Sequence, residues 1–355
     1  MTAGPPPQQL RVLFDITHPA QVHFFRHLIT SLQGDGHAVL VATRDKDVLH
    51  ALLDRLGIPY QCLSRKGGSV LGMAGELAAR NGRMLRAARA FRPHVMVGRF
   101  GVSITLPGKL LGVPTLVCDE NDYAPFQQLL SNSLATRLAS FMGYRRDYGR
   151  RQVWCRAVPM WAYLSPAVFT PDPGKLRAAG VDPDQPIILL RLVAWAAAHD
   201  VGVRKPRDEE IEAVVDRLSK FGRVLISSER PLTGRLATLA NPVPIEHGLD
   251  LMALSALVIG ESNTMAAEAA TLGTPAVCCS PLRAGYTMTL ADEYKLLAVT
   301  TTLAEGAALA EQWLSDPPAL RARWRANRDR LAAESEDVTA FLRAQLADLA
   351  GRSRA

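Results

Sequence analysis

The densest concentration of chemistry in the chain is the run ALVIGESNTMAAEAATLGTPAVCCS. An apolar strand delivers the chain to a Gly-Glu-Ser-Asn turn, which sets Ser262, Asn263 and Thr264 at a helix start. The first turn of a helix leaves backbone N–H groups without partners, and these groups with neighbouring hydroxyls suit phosphate oxygens. The same residues also suit a plain N-cap. Glu268 lies four residues past Thr264, one turn on along the same face. A carboxylate there does not help to bind phosphate, but it accepts hydrogen bonds from a ribose diol. The pairing therefore points to a nucleotide diphosphate. Glu261 either caps the helix or pairs with a base.

Other polar turns follow apolar runs. In FDITHPAQVHFF, Asp15 and His18 stand where a ligand crosses the end of the first strand, and His23 follows at the helix start. No GxGxxG is present there, so a dinucleotide fingerprint is not supported. Histidine titrates near neutrality, and His18 reads as a general base or a phosphate-orienting group, with a helix cap as the structural alternative. Cys118-Asp119-Glu120-Asn121-Asp122 sets three carboxylates after a strand. Glu120 and Asp122 are the candidates from it, as a base or as metal ligands, against a solvated turn. Arg191 in LLRLVAWAAAHDVG, with Trp195, His199 and Asp200 just beyond, is costly to bury without an anion, and a diphosphate is one candidate. Ser228 and Glu229 make a small turn after the next strand. His247, in Ile245-Glu246-His247-Gly248, either frames a nucleotide base or belongs to an ordinary loop.

The elements that must position these residues alternate in type. Strands are expected at Arg11–Ile16, His37–Thr43, Ile58–Leu63, Val95–Val97 and Pro114–Cys118, with helices at Val22–Asp35, Asp47–Leu56, from the Gly67-Gly68 loop to about Phe91, and at Ile104–Leu111. This is a βαβ series covered on both faces. Residues 124–185 read as less regular, and the Pro-rich stretch 166–186 as a linker. A second series then places strands at Pro186–Val193, Arg223–Ser227, Ala256–Gly260 and Thr274–Cys279, and a helical tail from Leu303 to Leu349. The expected domains are 11–165 and 186–330, with 331–355 a tail that packs back on the first. Doubly wound halves take ligands at the carboxyl ends of their strands.

The 355 residues carry 41 basic and 34 acidic side chains, a net of +7. Residues 1–150 hold 18 of the basic and 10 of the acidic groups, so the excess belongs to the first half. Arg80, Arg83, Arg86, Arg89 and Arg92 recur every third residue there, as a solvated helix face or a contact for an anionic acceptor or membrane surface. Mean hydropathy is +0.03, and no window reaches 18 consecutive apolar residues. The five cysteines form no CxxC pair or zinc spacing, and MTAGPPPQQL has no signal-like apolar stretch. A cytoplasmic protein, with peripheral contact at the inner face of the membrane left open, is expected. Nucleic acid is not, since no recognised module accompanies the Arg- and aromatic-rich patch at 141–154.

DITHPAQVHFFRHLI, GHAVLVATRD with LLDRLGI, RLVAWAAAHDVG, VLISSE and GESNTMAAEAATLGTPAV together resemble a bacterial and archaeal family of unassigned function classed with the GT-B glycosyltransferases, over residues 11–345. The resemblance implies an α/β GT-B fold: two Rossmann-like, doubly wound domains facing across a cleft. The wider group includes the enzyme that makes lipid II and non-hydrolysing UDP-N-acetylglucosamine 2-epimerases. Their carboxyl-terminal domain holds the sugar nucleotide and their amino-terminal domain the acceptor. By that resemblance Glu268 matches the ribose-binding glutamate, Ser262 and Thr264 the positions near diphosphate, and His18 a first-loop histidine. Two departures stand out. The first loop reads THPAQ instead of a glycine-rich sequence, and the second-domain loop GESNT has a single glycine. The function expected is transfer from a nucleotide-diphosphate sugar, with no tightly bound cofactor. Arg191 and the 262–264 helix end would offset leaving-group charge, and His18 or Asp15 would serve as base. Nucleotide-sugar 2-epimerisation through Glu120 and Asp122, or sugar-nucleotide binding without turnover, are the alternatives.

Overall fold

The computed structural model describes residues 9–45, 48–65, 70–120, 131–194 and 205–352. The tail 1–8, the Gly67-Gly68 loop, Asp122 and the stretch holding Trp195, His199 and Asp200 lie outside the described residues. The chain divides into two compact units. One runs to Tyr163 and resumes at Glu336; the other is Leu164–Ser335.

Unit 1 is built on seven parallel strands: β1 Arg11–Ile16, β2 Ala38–Asp45, β3 Gln61–Arg65, β4 Val95–Arg99, β5 Thr115–Asp119, β6 Arg137–Ser140 and β7 Gln152–Trp154. Their order is β3-β2-β1-β4-β5-β6-β7. Helices α1 Pro19–Gly34, α2 Leu49–Arg55, α3 Val70–Phe91 and α4 Val102–Leu111 make the early crossovers. Pro19 opens α1, where its missing N–H costs nothing, and the apolar stripe Phe24, Phe25, Leu28, Ile29 and Leu32 is buried. Each such side chain contributes about 2 kcal/mol of burial energy. Within the segment read as irregular, β6 and β7 extend the sheet. Strands of four and three residues are too short to show a period.

The arginine run of α3 is not one solvated face. Arg80 is 2% exposed, Arg83 donates to the Leu63 carbonyl at 2.7 Å, and Arg86, Arg89 and Arg92 are exposed.

Helix α5 is Trp161–Leu164, its last residue the first of unit 2. Unit 2 contains α6 Pro173–Ala178, β8 Ile187–Leu192, α7 Asp208–Leu218, β9 Arg223–Ser228, α8 Gly234–Ala237, α9 Gly248–Leu254, β10 Leu257–Gly260, α10 Asn263–Leu272, β11 Ala276–Cys279, α11 Gly285–Met288, β12 Leu297–Thr300, α12 Leu303–Leu314 and α13 Pro317–Glu334. Its sheet is parallel with the order β12-β11-β10-β8-β9. The stretch read as a linker is packed into this unit: Leu176 of α6 is fully buried, and Asp250 accepts from the Asp172 amide at 2.9 Å and from Lys175 at 3.1 Å.

The carboxyl-terminal region is three helices. The last, α14 Val338–Arg352, returns to unit 1. Arg343 reaches Ser31 and Asp35 of the α1 region, both at 2.5 Å, and Arg137 of β6 pairs with Asp348 at 2.5 Å. In each sheet the winding reverses once, between β1 and β4 and between β8 and β10. Those two points are where open α/β sheets leave a crevice at their carboxyl ends.

Candidate functional site

At the reversal in unit 2, Gly260 ends β10 directly against Arg191 of β8, and a Cβ there would lie 2.1 Å from the Arg191 carbonyl oxygen. That oxygen accepts the Glu261 amide at 3.0 Å. The Glu261 side chain is 5% exposed and accepts the Val193 amide at 3.0 Å, so it fastens the two strand ends together. Ser262 is the N-cap of α10: its hydroxyl accepts from the Met265 amide at 3.3 Å. This leaves the amides of Asn263 and Thr264 without an intrahelical partner. Thr264 is half-buried. Asn263 donates from Nδ2 to Ser280 Oγ at 3.5 Å and to the Leu282 carbonyl at 3.3 Å, drawing the loop after β11 up to the helix start. Glu268 sits one turn further on and is 8% exposed.

Arg191 does not present a bare charge. Its guanidinium pairs with Glu229 and donates to Ser227 Oγ at 3.0 Å, while Glu229 also accepts the Ala194 amide at 3.2 Å. The Ser228 hydroxyl is taken by a local turn with the backbone of Arg230. His247 closes a short 3-10 turn, half-buried, beside Ile245, which is 74% exposed. The cation missed at sequence level is Arg283. It is exposed on the loop after β11, makes no ion pair among the described residues, and its charge bears on the Cys278 thiol, whose Sγ lies against Asn263. Its only signal was its position just past the strand. Burial pushes both Cys278 and Cys279 up to about 12, so their thiols stay protonated.

The reversal in unit 1 carries the other candidates. Asp15 is 4% exposed and ion-paired with Arg80, which also donates to the Thr43 carbonyl at 2.7 Å, Ser64 at 3.1 Å and Ser103 at 3.2 Å. That carboxylate anchors α3 to the strand ends and is enclosed, an arrangement unlike that of a base awaiting substrate. His18 is exposed and caps α1, its Nδ1 accepting the Ala20 amide at 3.3 Å. An imidazole that accepts at Nδ1 carries its proton on Nε2, which is the capping arrangement and matches the phosphate-orienting reading of His18 better than the base.

Glu120 follows β5 and is ion-paired with Arg99 at the end of β4. The Arg99 guanidinium lies 4.8 Å from the Phe24 ring centroid. The second oxygen, Glu120 Oε2, is buried with no hydrogen-bond partner among the described residues. The two residues after Arg99 are left-handed, Phe100 at φ 62° and Gly101 at φ 48°. A Cβ on Gly101 would meet Val117 at 2.5 Å, so glycine is needed there for space as well as for its backbone angle. Such strain collects at functional sites. Asp119 is buried and accepts from Asn132 at 2.8 Å and Tyr144 at 3.1 Å. Burial holds His23 neutral, with its pKa lowered to about 4. Among the described residues, no group of three His, Cys, Asp or Glu side chains is placed to hold a metal ion, and no helix is long and apolar enough to cross a membrane.

Comparison with solved structures settles the architecture. The UDP-GlcNAc 2-epimerase of Neisseria meningitidis bound to UDP-GlcNAc superposes with a TM-score of 0.65, at 11% identity, over 95% of this chain and 99% of that one. CalG4, the calicheamicin glycosyltransferase, does so with a TM-score of 0.61, at 15% identity, over 98% and 99%. The fold is GT-B. Each unit is one of its Rossmann-like domains. Residues 10–141 match the family model described as a protein of unknown function, DUF354. An uncharacterized protein of Methanocaldococcus jannaschii is 22% identical over 286 residues, 77% of this GT-B chain and 82% of that protein.

Proposed function

We propose that the protein is a glycosyltransferase: unit 2 holds a nucleotide-diphosphate sugar, and unit 1 receives the acceptor. One observation carries this reading. Helix α10 starts at the sheet reversal with two amides that have no intrahelical partner and the Thr264 hydroxyl, and a buried glutamate, Glu268, follows one turn on. The diphosphate rests on those amides with Arg283 as its cation, Glu268 accepts from the ribose diol, and Ile245 with His247 borders the base. Arg191, Ser228, Glu229 and Glu261 shape the strand ends beneath.

On unit 1 the acceptor hydroxyl would give its proton to Glu120 Oε2, which readies its oxygen to bond to an anomeric carbon. The bond from that carbon to the diphosphate breaks, and the helix amides and Arg283 offset the charge left on the phosphate. His18 donates to an acceptor or phosphate oxygen. The resident machinery requires no tightly bound cofactor for this chemistry.

The test incubates the protein with a panel of labelled UDP- and dTDP-sugars and candidate acceptors, after calorimetry with UDP. Label transferred to an acceptor, lost in Glu120→Gln, supports the reading; nucleotide binding without transfer across the panel overturns it. Epimerisation at C2 is favoured by one feature, the Glu120 oxygen that has no hydrogen-bond partner among the described residues: it would take the C2 proton as the C–H electron pair forms a C1–C2 double bond and the diphosphate leaves, and re-addition from the other face would invert C2. A C2-inverted sugar nucleotide in the same incubations would establish it.

A further inference from the structure

The candidate residues of unit 1, Asp15, His18 and Glu120, stand at or just past the carboxyl ends of strands. At the opposite edge of the unit 1 sheet lies a groove of about 500 Å³, within the range of roughly 300–1,000 Å³ usual for small-molecule sites. Val113 and Pro114 lead into β5 and Arg137 opens β6, so the groove is separated from Asp119 by the length of β5, about 13 Å. Its charged lining residues are Lys109, Arg137 and Arg151, and no carboxylate is among them. Leu134, Pro114 and Leu349 of α14 supply apolar walls.

Among the described residues, two of the three cations have no carboxylate partner. Arg137 is answered by Asp348 and Gln345. Arg151, by contrast, is held by two neutral carbonyls, Ser133 at 2.6 Å and Ala135 at 3.3 Å, which fix its plane without neutralising it. Lys109 is exposed at the end of α4. The carbonyls of that helix end are already met by backbone amides: Val113 donates to Gly108 at 2.9 Å and Gly112 to Lys109 at 3.4 Å. Lys109 is thus not needed as their cap. The floor is preformed, since Thr115 and Thr136 exchange amide-to-hydroxyl hydrogen bonds at 3.0 and 3.1 Å.

We propose that this groove binds a small amphipathic anion, an acidic group on an apolar body, with the acid at Lys109 and Arg151 and the body against Leu134, Pro114 and Leu349. The proposal is independent of the nucleotide-sugar reading.

Its test uses the fluorescent probe 8-anilinonaphthalene-1-sulfonate with the full-length folded protein. The expected result is saturable one-to-one binding that weakens at least tenfold in Lys109→Glu/Arg151→Gln and in Leu134→Asp, but not in the exposed control Arg89→Glu. Circular dichroism and thermal midpoints confirm that each variant is folded. Decanoate is expected to displace the probe, while decanol and UDP are not. Probe affinity unchanged in both groove variants overturns the proposal, as does equal loss in the control. Displacement by decanol as effective as by decanoate removes the anion from it, and displacement by UDP moves the probe to the nucleotide site; either result also overturns it.

Discussion

Gly260 and Arg191 touch across neighbouring strands so closely that a β-carbon on Gly260 would lie 2.1 Å from the Arg191 carbonyl oxygen. Glycine is therefore required at the turn that starts α10. Gly260→Ala forces β8 and β10 apart and is expected to cost about 1–3 kcal/mol, read by urea denaturation. UDP affinity, if the helix start holds the diphosphate, falls with it. An alanine variant with wild-type stability would show that the contact is not tight.

Asp15 is expected to behave as a structural residue. Arg80→Met leaves a buried carboxylate without its cation and should destabilise the protein by about 3–5 kcal/mol. Asp15→Asn should likewise lower the urea midpoint. If Asp15 were instead the base, Asp15→Asn would abolish turnover at unchanged stability.

The proposed donor site would separate into two subsites that substrate analogues can distinguish. Glu268→Gln should weaken UDP binding about tenfold while leaving 2′,3′-dideoxyuridine diphosphate unaffected, because that ligand has no ribose diol. Arg283→Ala should weaken UDP but not uridine, which has no phosphate. Calorimetry on the four combinations checks both assignments, and equal losses for each analogue pair would refute them.

His23 makes stability depend on pH. Its folded pKa is lowered from 6.5 to about 4, chiefly by burial and secondly by Arg26. Between those values the unfolded chain binds the proton that the folded chain refuses, so stability rises with pH through this window. It is complete above pH 6.5, is lost as pH falls, and levels below about pH 4. The full loss is on the order of 3 kcal/mol. His27, lowered to about 4 by burial and by Arg26, acts in the same direction. Thermal midpoints from pH 4 to 7 should show this slope, and His23→Leu should flatten it.

Much of this architecture is legible in the amino-acid order because buried parallel strands are continuous apolar runs. Ile187–Leu190 and Val95–Val97 are examples. The glycine-to-helix step at 260–263 is equally plain, since few other roles suit that residue order. Partners far apart in sequence are not legible. Nothing local says that Arg80, one of five regularly spaced arginines, turns inward to Asp15, or that Glu229 occupies Arg191. His18 was recognisable as functional or capping. Which nitrogen it offers depends on the Ala20 amide, and that is a matter of geometry. The strands β6 and β7 escaped notice because Arg137 and Gln152 open them with polar side chains over only a few residues.

The return of α14 to unit 1 has a bearing on how the polypeptide is made. Val338, Leu342, Leu346 and Leu349 are buried, and Arg343 closes on Ser31 and Asp35 across more than three hundred residues. On a ribosome, the segment 164–335 emerges whole before the last helix of unit 1 exists. The unit that begins first therefore matures last, and until then the apolar surface awaiting those four side chains is open to chaperones or to aggregation. A stop codon before residue 336 would remove the last helix and leave the amino-terminal unit unfinished.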